Sequence, residues 1–150
     1  TPFLHFGHIF VMLAVLMLGP KLSTVAGVLG LVVFDVLNGY IQAIPNVFVS
    51  TIIKCLLVGV IFQALKKKAQ EDAKKEYGYA VLCAAIYGVT NIIVDFIWST
   101  VELVVLGSSW SAALAAEIIP ATIINAGFTV VGIAILYVPV KKAYQRILGA

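Results

Sequence analysis

The sequence predicts an all-α integral membrane protein that folds as one compact bundle of transmembrane helices. Of its 150 residues, 62% are hydrophobic and only 11% are charged, whereas a soluble domain carries about 25% charged residues. The mean hydropathy is +1.08, and the apolar residues form long runs separated by short polar connectors. The length allows several spans of about 20 residues each and leaves no room for a soluble catalytic domain.

Turn-forming and charged residues mark the borders of the predicted spans. Gly19-Pro20 ends the first helix, because proline cannot continue the hydrogen-bond ladder. A turn-rich connector covers 38–46, and a hydrophilic segment, read as a loop with a helical extension as the alternative, covers Lys66 to Tyr77. Five spans are visible in this sequence: Ile9–Leu18, Leu22–Leu37, Val47–Leu65, Tyr79–Leu106 and Ala112–Val138.

Basic residues predict the orientation of the bundle. Lysines crowd the segment from Lys66 to Tyr77, and Lys141, Lys142 and Arg146 follow the last span. The positive-inside rule makes that segment and the C-terminus cytoplasmic, and the net charge of +3 indicates orientation in a lipid bilayer rather than a nucleic-acid partner. Counting back three spans puts residues 1–7 outside with no signal peptide to send them there, so we expect an upstream helix to be missing from this sequence.

The fourth span carries a polar stripe. Its members recur at offsets that place them on one face of a helix: Tyr87, Asn91, Asp95, Trp98 and Glu102. An unpaired carboxylate facing lipid costs at least about 2.5–3.5 kcal/mol, so this face must look into the bundle or into a water-filled cavity. Two interpretations remain open, a ligand-facing wall and interhelical hydrogen bonds worth about 0.6 kcal/mol each. Five polar residues on one face favour the wall.

Other classes of function have weaker support. An intramembrane enzyme could use Asp95, Glu102 and Glu117, but no HExxH motif and no spacing of a nucleophile and a base supports it. A channel-forming or structural oligomer would need polar residues along the inner half of one helix, and the predicted topology gathers them in the outer half. Cys55 and Cys83 are isolated in apolar runs and are predicted to be buried thiols, with no disulfide, metal or cofactor implied.

The N-terminal part carries a signature that resembles a known family. Its segments are Phe3-Leu4-His5-Phe6-Gly7-His8-Ile9-Phe10 and Leu18-Gly19-Pro20-Lys21, followed by Gly27, Gly30, Asp35 and Gly39-Tyr40. They resemble the substrate-binding S components of energy-coupling factor (ECF) vitamin transporters, most closely the branch assigned to hydroxymethylpyrimidine or pyridoxine, which is related to the riboflavin-type S components. His8 stands where many relatives carry an acidic residue.

The resemblance implies an architecture and a set of partners. The expected fold has six helices in one S-component domain, which here covers residues 1–150 with the first helix missing. Such a subunit lies in the bacterial cell membrane, captures a small water-soluble vitamin at the extracellular face, and is not an enzyme. It docks on a transmembrane coupling subunit, the T subunit, which is driven by two ATP-binding-cassette ATPases. No nucleic acid and no cofactor is expected.

The resemblance also implies a pocket that the external loop 3–7 caps and the last three helices wall. The implied substrate-binding residues are His5, Phe6, Asn46, Ser50, Tyr87, Asn91, Asp95, Trp98, Glu117 and Asn125. Aromatic rings among them suit stacking on a flat ring, and the amide and carboxylate groups suit ring nitrogens and hydroxyls. Simpler roles are the alternatives: His5 and Trp98 as interfacial residues, Glu117 as a helix cap, and Asp35 as a structural group.

The polar residues of this pocket are few. That favours a single-ring pyridine or pyrimidine, such as pyridoxine or hydroxymethylpyrimidine, as the bound vitamin. Riboflavin or another vitamin is the alternative.

Overall fold

The computed structural model describes residues 5–105 and 112–149, and the side chains of 5–105 and 120–149. The elements are α1 (Gly7–Asn38), a short 3-10 helix (Ile41–Ala43), α2 (Ile44–Ala69), α3 (Ala73–Val105) and α4 (Ala112–Leu148). The described residues contain no strand. Each of the four long helices includes a stretch that is long and apolar enough to cross a membrane, which confirms the predicted all-α membrane fold.

Helix α1 is bent back on itself at Gly19. Gly19 has φ 78° and ψ 177°, a conformation that is essentially restricted to glycine. The arms on either side, 7–18 and 20–38, run antiparallel: a Cβ on Gly7 would lie 2.8 Å from Leu31, and one on Gly27 would lie 3.1 Å from Val11. The first two predicted spans are therefore these two arms. The first arm is about 18 Å long, less than the hydrocarbon thickness of about 30 Å.

Two helix boundaries differ from the predictions. Helices α2 and α3 extend into the hydrophilic segment, so only residues 70–72 of it lie outside a helix; the segment is mainly a helical extension. The sequence predicted that the last span ends at Val138, just before Pro139. Helix α4 instead continues past Pro139 to Leu148. A proline removes one backbone hydrogen bond, and the lysine-rich residues that follow favour a helix, so the helix persists at this position.

Small residues allow the helices to approach closely. A Cβ on Gly59 would lie 2.8 Å from the Cα of Pro20, and one on Gly88 would lie 2.8 Å from the Cβ of Ala126. Gly132 packs in the same way against the first arm of α1. The outward faces are apolar and suit lipid; their exposed side chains include Phe10, Leu22, Val25, Leu29, Val60, Val89, Ile93, Val131 and Ile135.

A carboxylate fastens three helices together at one end of the bundle. Glu76, near the start of α3, is buried; it accepts hydrogen bonds from Tyr137 at 2.5 Å and Lys141 at 2.7 Å. Lys66, at the end of α2, lies 3.5 Å away. The basic residues thus gather at this end, which we call the basic end. Cys55 and Cys83 are free and buried in the core, as predicted.

The close approach of α3 and α4 predicts opposite effects for two glycines of α3. Gly88→Ala should lower the free energy of unfolding by about 1–3 kcal/mol, because the new methyl group collides with Ala126. Gly78→Ala, where no atom lies within 4 Å of the new Cβ, should raise it by about 0.5–1 kcal/mol through helix propensity. Thermal unfolding in detergent, followed by a dye that reacts with Cys55 and Cys83 as they become exposed, measures both. A Gly88→Ala protein as stable as the Gly78→Ala protein contradicts this packing.

Candidate functional site

Polar side chains form two ladders at the end of the bundle opposite the basic end. Both ladders repeat every four residues, so each lies on one helix face. The ladder of α2 is Asn46, Ser50 and Lys54, and the ladder of α3 is Asp95, Asn91 and Tyr87. Helices α2 and α3 run antiparallel, and contacts between the ladders join Asn46 to Asp95 and Lys54 to Asn91.

Hydrogen bonds connect the two ladders into one network, the polar cluster. Lys54 Nζ donates to Asn91 Oδ1, and Asn91 Nδ2 donates to Asp95 Oδ2 at 2.8 Å. Asn46 Nδ2 reaches Asp95 Oδ1 at 3.5 Å. The Asn91 amide therefore bridges the Lys54 amine and the Asp95 carboxyl group, so two side chains of opposite charge type lie close together within the membrane.

The first arm of α1 and helix α4 complete the walls. His8 Nδ1 and the Tyr87 hydroxyl share a hydrogen bond at 3.2 Å. The backbone N–H of His5 donates to Asn125 Oδ1 of α4 at 3.0 Å, and the rings of His5 and His8 lie 5.4 Å apart. Lys54 Nζ lies 5.2 Å from the centre of the Tyr87 ring, within cation–π range.

Burial within the polar cluster decreases toward the end of the bundle, so we call its buried part, Lys54, Tyr87 and Asn91, the floor and its partly buried part, Asn46 and Asp95, the rim. Lys54 and Tyr87 are each 1% exposed, and Asn91 is 5% exposed. Asn46 and Asp95, one turn farther out, are only partly buried. Asn46 and Asp95 therefore lie nearer the end of the bundle, and Lys54 lies deeper. Among the described residues, no three His, Cys, Asp or Glu side chains are grouped as a metal site would require.

The structure brings six of the ten sequence-predicted residues together: His5, Asn46, Tyr87, Asn91, Asp95 and Asn125. Phe6 is 57% exposed and packs edge-on against Phe128 of α4, with ring centres 5.8 Å apart. It stands at the rim. That these side chains bind a substrate stays a prediction.

Two predicted residues, Ser50 and Trp98, do not join the polar cluster among the described residues, and a third falls outside them. The Ser50 hydroxyl is buried and donates to the backbone of Val47 in its own helix, at 3.5 Å. Trp98 is half-buried and makes no hydrogen bond or ring contact with the described residues, and Glu102 of the same stripe is exposed. Glu117 lies outside the residues whose side chains the structure describes.

Sequence reasoning missed Lys54 and His8 as members of the site. The signal for Lys54 was present, because an ionisable residue within an apolar span marks a functional position by default, and Lys54 stands eight residues after Asn46 on the same helix face. The signal for His8 was its place in the N-terminal signature. The backbone carbonyl of Asp35 accepts the Tyr40 N–H at 2.7 Å. Its side chain is buried, and Oδ2 has no hydrogen-bond partner among the described residues, so a structural role for this carboxyl group stays a prediction.

The bridging role of Asn91 predicts a large loss of stability when its amide is removed. Asn91→Leu, which keeps the branched outline of the side chain, should lower the free energy of unfolding by about 1–3 kcal/mol, because Lys54 and Asp95 lose their shared partner. Thr90→Val is the matched control, since the Thr90 hydroxyl bonds only the carbonyl of Ile86 in its own helix. Unfolding in detergent measures both proteins, and equal stabilities argue against the bridge.

Comparison with known proteins supports one family. Residues 1–145 match the sequence profile of the family described as "ECF-type riboflavin transporter, S component". No curated protein and no solved structure gives a significant match. The match covers nearly the whole chain and agrees with the resemblance of its N-terminal signature, while the hydroxymethylpyrimidine or pyridoxine branch stays a prediction. The chain is therefore a member of the S-component family of ECF-type riboflavin transporters.

Proposed function

We propose that this protein captures a small single-ring vitamin, pyridoxine or hydroxymethylpyrimidine, at the outer face of the cell membrane for an ATP-driven ECF importer. The observation that carries the proposal is the polar cluster that Asn46, Lys54, Asn91 and Asp95 form at one end of an otherwise apolar bundle. Buried hydrogen-bonding groups are costly in a membrane and are retained where they have a function.

The charge distribution supports an outward-facing site. Lys66, Lys141 and the residues around them lie at the basic end, and the positive-inside rule assigns that end to the cytoplasm. The polar cluster then opens outside, and the C-terminus and the turn 70–72 lie inside. A site confined to one half of the bundle suits binding rather than conduction.

The side chains at the site suit a flat polar ring. The aromatic face of Tyr87 borders the floor, and Phe6 stands at the rim, where it can close over a ring. The cluster supplies a cationic donor in Lys54 and acceptors in Asp95 and Asn46 for the ring substituents. We extend the substrate-binding assignment to His5, Asn91 and Asn125, which line the same end.

Membership in the family implies the partners. A coupling T subunit in the membrane and two ATP-binding-cassette ATPases would supply the energy, and this chain would bind the vitamin without catalysing a reaction. Release to the inside would follow when the whole subunit topples within the complex.

Riboflavin is the second candidate, because the matching family is described as a riboflavin transporter component. A flavin has three fused rings and a ribityl chain and needs more polar partners than a single ring. The small number of polar side chains in the described walls favours the single-ring vitamins.

Native mass spectrometry of the detergent-purified protein, followed by titration with pyridoxine, hydroxymethylpyrimidine and riboflavin, tests the proposal. A single-ring vitamin that co-purifies or binds with nanomolar affinity is the expected result. Binding of riboflavin alone moves the assignment to the second candidate. A folded protein that binds none of the three contradicts the proposed substrate class.

A comparison of Asp95 with Glu102, a second carboxylate of the same helix, tests which side chain contributes to that affinity. Asp95→Asn should weaken binding of the preferred vitamin at least about tenfold, because a hydrogen bond to a charged acceptor is lost. Glu102→Gln, on the same helix but exposed, should leave the affinity unchanged. Isothermal titration calorimetry measures both, and equal affinities of the two variants would place the site elsewhere.

A further inference from the structure

The ammonium of Lys54 needs more acceptors than the described residues provide. The residue is 1% exposed and carries three N–H donors. Among the described residues its hydrogen-bond acceptor is Asn91 Oδ1 alone, and the Tyr87 ring faces it without accepting a conventional hydrogen bond. A buried donor without an acceptor is costly, so the floor of the polar cluster favours a ligand that brings an oxygen.

Two groups nearer the rim, those of Asn46 and Asp95, are hydrogen-bond acceptors and suit a donor on the ligand. Asn46 Oδ1 is buried and has no hydrogen-bond partner among the described residues. The carboxylate of Asp95, hydrogen-bonded by Asn46 and Asn91, can accept further bonds. Both groups lie toward the rim and can accept a hydrogen bond from an N–H or O–H donor. The polar cluster therefore presents a cationic donor at its floor and two acceptors above it.

We propose that Lys54 selects the substrate by binding an anionic oxygen on a heteroaromatic ring whose N–H group bonds Asp95 or Asn46. This inference rests on the proposed function and narrows its substrate class. A hydroxypyridine fits, because its hydroxyl proton can move to the ring nitrogen and leave an oxyanion and an N–H donor on one ring. Hydrogen bonds between ionised partners are the strong ones.

An aminopyrimidine fits less well. Its ring nitrogens can accept a hydrogen bond from Lys54 and its amino group can donate to Asp95, but these acceptors are neutral and it has no ionisable ring hydroxyl. A hydrogen bond from an ammonium to a neutral nitrogen is weaker than one to an oxyanion. Of the two single-ring vitamins, Lys54 therefore selects pyridoxine over hydroxymethylpyrimidine.

A purely structural role for Lys54 makes a different prediction. If Lys54 only balances the charge of Asp95 through Asn91, its removal weakens every ligand by the same factor. If Lys54 contacts the ring oxygen, its removal weakens only ligands that carry this oxygen. Removing the residue and the ligand oxygen separately and together distinguishes the two roles.

Calorimetric titration of the wild type and of Lys54→Met, in detergent, provides the test. The ligands are pyridoxine, 3-deoxypyridoxine, which lacks the ring hydroxyl, and hydroxymethylpyrimidine. The wild type should bind pyridoxine about 10- to 100-fold more tightly than 3-deoxypyridoxine. In Lys54→Met the ratio of the two affinities should fall to about threefold or less, because the ring oxygen then has no ammonium to bind.

Three results overturn the inference: equal binding of the two pyridines by the wild type, an equal loss for both in Lys54→Met, or tighter binding of hydroxymethylpyrimidine than of pyridoxine. The first and third need only the wild type, so they decide the matter even if Lys54→Met fails to fold. A folded wild type that binds no vitamin at all refutes the proposed function itself, which is a separate outcome.

Discussion

A buried ammonium in the middle of a membrane helix is the constraint on which the rest of this structure depends. Lys54 cannot face lipid, so α2 must turn it toward a helix that supplies an acceptor and a countercharge. Helix α3 supplies both, since Asn91 accepts a hydrogen bond from Lys54 and donates one to Asp95. The need to pair these groups fixes the register of α2 against α3, and with it the position of the outer rim.

The two ends of the bundle differ in how fully their buried polar groups are hydrogen-bonded. At the basic end, the carboxylate of Glu76 is buried and surrounded by the Tyr137 hydroxyl and two ammonium groups. A fully satisfied network of this kind makes a structure rigid. At the opposite end, the described residues leave an Asn46 oxygen unpartnered and Lys54 with one acceptor. Unused hydrogen-bonding capacity in a partly open cluster is what a polar ligand can use.

Local rules of the sequence predicted the helices better than the site. Gly19-Pro20 breaks α1 because of backbone restrictions that any sequence obeys, and hydropathy alone marks the spans. The polar stripe of α3 was also predicted from the spacing of residues within one helix. Its part from Tyr87 to Asp95 does face other helices. The other two members of the stripe, Trp98 and Glu102, make no hydrogen bond or ring contact with the polar cluster among the described residues. Lys54 was overlooked although its charge within an apolar span marked it, whereas its pairing with Asn91 of α3 depends on the register between the helices, which the sequence does not show.

The close packing of the helices bears on affinity. Gly88 and Gly132 bring α3 and the first arm of α1 tightly against α4, so the walls of the polar cluster stand on a scaffold that has little freedom to shift. Lys54, Tyr87 and Asn91 are already buried and oriented by one another. The cost of desolvating and ordering them is therefore met when the protein folds rather than when a ligand binds. A ligand that completes the network keeps more of its interaction energy as affinity, which suits capture of a scarce molecule.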